Sequence, residues 1–365
     1  MKFYKLLLTC LFFSKLSSAQ NLAELKTYLA GNSYPILLND SSQGNAFFRS
    51  VMQNKTLFVY GEGGSHDLEL NNQMRVYLLH QFSTLNLKYF FIEGARTAAY
   101  IHNQYLQNPD ESSDSVYIDT AFRNQMRQIR RLYQAGFHFE YKGIDMEWSR
   151  GFYRAVKSIT KDLSSDTIDS IKLLHAILID TSYFHYDNTN RFKNQAQFLK
   201  RYKELKDLLL QDSGKLKACL DPEHYNELVY FLSNPQTAPP DGNRNPGMAE
   251  NLLAEITPID TSATYLLDIG SAHSLLSRAA AVVGILNSTP SLSNKMVIMN
   301  VYCDNCRING YVLKQNLIEL KGEVLEVFRM STKGDLTIFN IADAPPEFSY
   351  LKKYGSLILF AKNQQ

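Results

Sequence analysis

Two histidines and three carboxylates follow short apolar runs of the sequence, in positions where they could activate a water molecule. Glu62 and His66 follow one run. Glu93, Asp145 and His273 end or follow three others. A histidine flanked by carboxylates is suited to drawing a proton from water, because a carboxylate that accepts a hydrogen bond from the imidazole fixes its tautomer and raises its basicity. An arginine nearby would stabilise the oxyanion that forms when water attacks an ester carbonyl.

The sequence lacks the motifs of several other mechanisms. The segment 63–67 (Gly-Gly-Ser-His-Asp) has no closing glycine, so it is not the G-x-S-x-G elbow of a serine hydrolase. Neither an H-E-x-x-H helix nor a P-loop is present. Cys303 and Cys306 have C-x-x-C spacing, but no second pair completes a zinc site. We expect no metal and no other cofactor, and either one local disulfide or two unreacted thiols at this pair.

The elements that must position these side chains are typical of an α/β fold. Short apolar runs alternate with amphipathic stretches, which is the pattern of a sheet with crossover helices. Ligands bind at the carboxyl ends of the strands in such a sheet, so we predict that the ionisable residues surround one cleft there. For any single carboxylate, capping of the next helix is the alternative. The predicted strands are Thr56–Tyr60, Lys88–Ile92, Phe137–Ile144, Ala263–Ile269, Lys295–Tyr302, Val324–Met330, Leu336–Ile341 and Ser356–Ala361.

The order of these signals predicts a three-layer α/β/α core with a mixed, largely parallel sheet and a helical insertion. Strand signals stop at about residue 149 and return after about residue 257. We therefore divide the chain into a signal peptide at 1–19, a first part of the core at 20–148, the insertion at 149–257 and a second part of the core at 258–365.

The N-terminus has the features of a signal peptide. Lys2 and Lys5 precede a short apolar run, and small residues at 17–19 suit a signal peptidase. We expect a periplasmic or secreted protein with no integral membrane segment after signal removal, since the run is too short for a permanent membrane helix. Lipoprotein anchoring through Cys10 is the alternative. The net charge of +2 gives no reason to expect nucleic acid as a partner.

Motifs along residues 56 to 280 resemble the erythromycin esterase-like family, which shares a fold with ChaN-like haem-binding lipoproteins and Tiki-type proteins. Their order along the chain is that of the family. The family has G-E-x-x-H after its first strand, an arginine on the next helix, a glutamate ending the second strand, an aromatic-Gly-x-Asp-Met strand end, an arginine followed by Met-Ala-Glu-Asn, and a closing strand with histidine. The matching positions here are Gly61, Glu62 and His66, Arg75, Glu93, Tyr141–Met146, Arg244 with Met248–Asn251, and Leu267–His273.

The resemblance implies a metal-independent hydrolase whose first histidine, His66 here, is the general base that opens a macrolactone or cleaves an ester. The expected partner is therefore a small-molecule ester or lactone. The candidate residues are His66, Glu62, Glu93 and His273 for catalysis, and Arg75, Arg244 and Asp145 for substrate binding.

Two positions depart from the family pattern. Three residues rather than two separate Glu62 from His66, and Gly270 stands where the family commonly has another histidine. Two alternatives on the same fold therefore stay open. One is a non-catalytic protein, and the other is a metal- or haem-binding protein that uses the histidines and carboxylates.

Overall fold

The structure is a computed structural model, in which the chain divides into two compact units. Unit 1 comprises Met1–Phe91, Asp110–Glu140 and Ile256–Gln365, and unit 2 comprises Ile92–Pro109 and Tyr141–Glu255. The predicted signal peptide at 1–19 lies outside the described residues. The structure describes residues 20–38, 44–63, 68–108, 120–147, 149–164, 168–179, 191–234, 243–308, 311–312 and 318–362.

Eight of the strands in the described part of the chain form one mixed, largely parallel sheet, which confirms the α/β class predicted from the sequence. The strands are β1 Ser33–Pro35, β2 Leu57–Glu62, β3 Leu87–Ala95, β4 Glu140–Asp145, β5 Thr264–Gly270, β6 Met296–Asp304, β7 Arg307–Ile308, β8 Tyr311–Val312, β9 Leu336–Asn340 and β10 Leu357–Lys362. The sheet order is β1-β9-β10-β6-β2-β5-β3-β4. Strand β2 pairs in parallel with both β5 and β6, β10 pairs in parallel with β6, and β9 is antiparallel to β1 and β10.

The helices begin with α1, at residues 20–31. Those that follow are α2 Asn45–Val51, α3 Glu69–Phe82, α4 Arg96–Gln107, α5 Thr120–Gln134, α6 Ser149–Ile159, α7 Asp169–Ile179, α8 Arg191–Gln211, α9 Ser213–Cys219, α10 Pro222–Leu232, α11 Asn245–Ile256, α12 Ser271–Ser274, α13 Val282–Asn287, α14 Gly322–Ser331 and a 3₁₀ helix, Pro346–Tyr354. Within the described ranges, no helix has both the length and the apolar character needed to cross a bilayer.

Unit 1 is built on strands that are buried on both faces. Every residue of β2 is buried, as expected of a parallel strand covered by helices. Aromatic rings pack together in one part of this core. Phe328 packs edge-on against Phe339, with 4.9 Å between ring centroids, and stacks on Phe360 at a centroid distance of 6.1 Å. The packing of these apolar strands sets the positions of their carboxyl ends, where the polar side chains lie.

Unit 2 has a hydrophobic core of its own, made by helices. In α6, Phe152, Val156 and Ile159 follow the spacing of one helix face and are buried. Phe152 packs edge-on against Tyr202 of α8, with ring centroids 4.5 Å apart. The predicted limits of a helical insertion, 149–257, stay a prediction.

One predicted strand is wrong. Val324–Met330 lies in helix α14. Its β-branched and aromatic residues favoured a strand, but Val327, Phe328 and Ser331 are the buried positions, and their spacing is that of one helix face. The short edge strand β1 escaped prediction because three residues carry too little periodicity.

Candidate functional site

Two buried carboxylates in unit 1 share one arginine at the carboxyl end of β2 and β5. Glu62 is the last residue of β2, and Asp268 lies in β5. In the parallel register Tyr60 lies opposite Asp268 and Glu62 lies opposite Gly270. Arg75 of α3 donates through Nη2 to Glu62 and through Nε to Asp268 Oδ2, the latter at 2.5 Å. Buried carboxylates need such partners, because their transfer from water is costly.

The Arg75 guanidinium is held in place by two further side chains. Its Nη1 donates to Asn72 Oδ1 at 2.9 Å and to Gln125 Oε1 at 3.2 Å. Asn72 is one turn earlier on α3, and Gln125 is on α5. In this arrangement Arg75 positions the two carboxylates. Its predicted contact to substrate stays a prediction.

A buried tyrosine fixes the chain just after Glu62. The Tyr60 hydroxyl donates to Asn71 Oδ1 at 2.8 Å, and Asn71 Nδ2 donates to the Gly63 carbonyl at 3.4 Å. Burial, assisted by the negative charge of Asp268, raises the pKa of Tyr60 well above its usual value, so the hydroxyl remains a donor. His66 and the rest of 64–67 lie outside the described residues.

His273 lies in the short helix α12, which begins directly after β5. Because Gly270 pairs with Glu62, α12 starts at the same strand end as this carboxylate. The helix is seated on β2 at Gly61, where an added Cβ would collide with Ser274 Oγ and Asn300 Oδ1. The glycine that precedes Glu62 is therefore required by close packing.

A second shared arginine lies in unit 2. Arg244 donates through Nη1 to Asp145 Oδ2 and through Nη2 to Glu93 Oε1, the latter at 2.5 Å. Asp145 ends β4 and is buried, and Glu93 lies in β3 two residues before its end. Asp145 Oδ1 also accepts the Met146 N–H at 2.8 Å. The structure thus joins three of the sequence-predicted residues in one ion-pair cluster.

Buried amides hold the end of β4 in this unit. Asn251 donates to the Ile144 carbonyl at 2.9 Å and to Asn234 Oδ1 at 3.1 Å, and it accepts from Arg96 Nη2 at 3.0 Å. Asn234 in turn donates to the Asp145 carbonyl at 3.0 Å. The asparagine of the Met-Ala-Glu-Asn motif therefore positions the backbone that carries Asp145.

Glu147 is a further buried carboxylate of unit 2 that the sequence reasoning missed. It accepts from the Thr97 hydroxyl at 2.5 Å, from the Thr97 N–H at 3.4 Å and from Asn234 Nδ2 at 3.2 Å. Burial raises its pKa, and the hydrogen bonds from Thr97 and Asn234 and the charge of Arg96 only partly offset this. Its signal in the sequence was a second carboxylate two residues after Asp145.

Asp268 was also missed, although it is a charged residue within the apolar run 265–269.

Of the predicted residues, the structure pairs Glu62 with Arg75, and it pairs Glu93 and Asp145 with Arg244. In the described part of the chain, no three His, Cys, Asp or Glu side chains are grouped so that they could hold a metal ion. The catalytic and substrate-binding roles stay predictions.

Comparison with protein-family models and with curated protein sequences finds no match. Solved structures do match. A Bacillus cereus protein matches with a TM-score of 0.62 and 10% identity over 94% of this chain and 98% of that chain. A succinoglycan biosynthesis protein matches with a TM-score of 0.63 and 10% identity over 93% and 96%.

A mutant of the erythromycin esterase EreC in its open conformation also matches, with a TM-score of 0.56 and 11% identity over 88% of this chain and 93% of that chain. Identities this low establish the fold alone. The resemblance drawn from the motifs is confirmed to that extent, and the chain has an erythromycin esterase-like fold.

Proposed function

We propose that this chain is an exported hydrolase of the erythromycin esterase-like type, which activates water with a histidine and carboxylates to cleave an ester or lactone. His66 is the general base in this proposal, and Glu62 orients it. Glu93 and His273 are the other catalytic candidates. No resident metal or other cofactor takes part.

The observation that carries the proposal is the arginine shared by Glu62 and Asp268. The pairing holds a carboxylate at the carboxyl end of a central parallel strand, which is where α/β folds place their ligands. Only three residues separate Glu62 from His66 in the chain. A carboxylate fixed in this way can accept a hydrogen bond from an imidazole and raise its basicity, which is the requirement of general-base catalysis.

The two arginines, each within its own unit, differ in their contacts. Arg75 donates to four protein acceptors and is suited to positioning. Arg244 uses one N–H on each of two carboxylates, and its side chain is 27% exposed. We therefore propose Arg244, with Asp145 holding it, as the stronger candidate for contact with a substrate oxygen.

The proposal is tested by hydrolysis of a panel of activated esters and macrolactones by the purified protein and by Glu62→Gln. We expect turnover by the unaltered protein and a loss of at least about tenfold in kcat/KM for Glu62→Gln, equal to about 1.4 kcal/mol of transition-state stabilisation. Glu319→Gln is the matched control, because this glutamate of unit 1 is exposed and forms an ion pair with Lys321, which is exposed as well.

Absence of hydrolysis across the whole panel would contradict the proposal and favour a binding protein. Stoichiometric metal or haem in the untreated protein would favour the metal- or haem-binding alternative. An equal loss of activity in Glu62→Gln and Glu319→Gln would remove Glu62 from the mechanism. Thermal unfolding of both variants, measured alongside, separates a chemical effect from loss of fold.

A further inference from the structure

Two buried cysteines lie side by side where strand β6 ends. Cys303 is the next-to-last residue of β6, and Cys306 lies in the turn before β7. Asn305, between them, has φ of 61°, a left-handed conformation that asparagine tolerates better than most residues. The turn brings the second cysteine back to the first, because Cys303 lies opposite Ala361 of β10 in the parallel register and Cys306 Sγ lies 3.8 Å from the Ala361 carbonyl oxygen. Both residues are buried and both thiols are unoxidised in this structure.

The two thiols are linked by a hydrogen bond. This hydrogen bond between Cys303 and Cys306, together with burial, raises the pKa of Cys303. Cys306 donates onward to the Ala361 carbonyl, with 3.8 Å between Sγ and O. Because the pKa of Cys303 is the one that is raised, we assign the first attack on an oxidant to Cys306.

The backbone around the pair is anchored. Asp304 receives two hydrogen bonds from Arg329 of α14, to Oδ2 at 2.9 Å and to Oδ1 at 2.7 Å. A metal site would need further ligands, and none are grouped here among the described residues. Two thiols in contact, on an anchored turn and without metal-binding neighbours, are arranged for a bond to each other.

We propose that Cys303 and Cys306 are a modification site, at which a disulfide-donating oxidant converts the two thiols into one local disulfide. The Cys306 thiolate attacks a sulfur of the donor disulfide, whose S–S bond breaks and releases one thiolate. Cys303, deprotonated, then attacks Cys306 Sγ in the mixed disulfide and releases the second thiolate. Two electrons pass to the donor, which leaves as two thiols with the two protons.

This disulfide would lie against the strand that ends in Glu62. A Cβ added at Gly63, the residue after Glu62, would lie 3.4 Å from Cys303 Sγ. Both sulfurs are buried, so oxidation takes place during folding or through local opening of the turn. Once closed, the bond is shielded from reductants by the same burial.

The test is refolding of the chain in a buffer of oxidised and reduced glutathione, followed by alkylation under denaturing conditions and digestion with trypsin. No lysine or arginine interrupts 296–306, so both cysteines fall in one peptide, Met296–Arg307. We expect this peptide to resist alkylation and to be lighter by two hydrogens. After reduction it should take two alkyl groups. Cys219, exposed and in a separate peptide, is the internal control, which should take up one alkyl group once any mixed disulfide is removed.

Full alkylation of the Met296–Arg307 peptide without prior reduction, while the protein is folded, would overturn the proposal. A glutathione adduct that persists on Cys306 would also overturn it, because it would show that Cys303 cannot complete the exchange. The Cys303→Ser variant makes this distinction directly, since it should retain the adduct that the unaltered chain resolves.

Discussion

Replacing Arg75 with methionine should destabilise the protein strongly, because it removes the cation that bridges two buried carboxylates. The side chain of Arg75 is 12% exposed, and those of Glu62 and Asp268 are 3% and 6% exposed. Methionine keeps most of the apolar stem of arginine and removes only the charged, hydrogen-bonding head. The substitution therefore removes the two ion pairs together with the hydrogen bonds to Asn72 and Gln125, and leaves most of the apolar packing in place.

Removal of one partner from a buried ion pair costs about 3–5 kcal/mol, because the remaining charge is buried without compensation. Two carboxylates are left here, so we expect a loss in this range in the free energy of unfolding. Protonation removes the negative charge that burial penalises, so the deficit should shrink as the pH falls towards about 4.

Urea unfolding followed by circular dichroism measures this difference. Arg201→Met is the matched control: Arg201 also binds a carboxylate, at Glu204, but the two side chains are 40% and 38% exposed, so we expect a loss of only about 0–1 kcal/mol. Equal losses for Arg75→Met and Arg201→Met would refute the reasoning. A second variant, Arg75→Met with Glu62→Gln and Asp268→Asn, should recover part of the lost stability.

Three further predictions concern unit 2, and urea unfolding measures each of them. Arg244→Met should cost about 1–3 kcal/mol, less than Arg75→Met because the Arg244 side chain is 27% exposed; a larger loss would contradict this ranking. Asn251→Ala should cost about 1–3 kcal/mol because it leaves buried hydrogen-bonding groups unsatisfied, and a neutral result would show that water replaces the amide. Burial raises the pKa of Glu147 in the folded state, so its contribution is favourable at low pH and is lost as pH rises above 4.5. The unaltered protein should therefore lose stability relative to Glu147→Gln by up to about 1.4 kcal/mol per pH unit in that window, and parallel pH profiles would contradict the assignment.

The sequence predicted the α/β class well because buried strands are marked by continuous apolar runs. It predicted α14 wrongly because a short run rich in valine and phenylalanine is compatible with either element. Strand β1 has only three residues, Ser33–Pro35, and its pairing with β9 is set by contacts far along the chain. Local pattern carries no information on such pairing.

The candidate residues could be predicted from their positions after strands, but their partners could not. Arg75 and Asp268 are separated by 193 positions, and only the parallel pairing of β2 with β5 brings Asp268 beside Glu62. The signal for Asp268 in the sequence is its position as the single carboxylate of the apolar run 265–269. The burial of Glu147 could not be predicted from the sequence, because it depends on Thr97 and Asn234, which lie elsewhere in the chain.

The proposed dependence of hydrolysis on a histidine general base is tested most directly by the pH–rate profile of His66→Ala on the best ester or lactone substrate. General-base catalysis contributes roughly 10²–10⁴-fold in rate, so we predict a loss of that order in kcat and disappearance of the rise in rate with pH that the imidazole controls. His224→Ala is the control, since His224 is exposed and pairs with Asp221, and it should leave both unchanged. An unaltered kcat and pH profile in His66→Ala, from a variant that unfolds at the same temperature as the parent, would contradict the account.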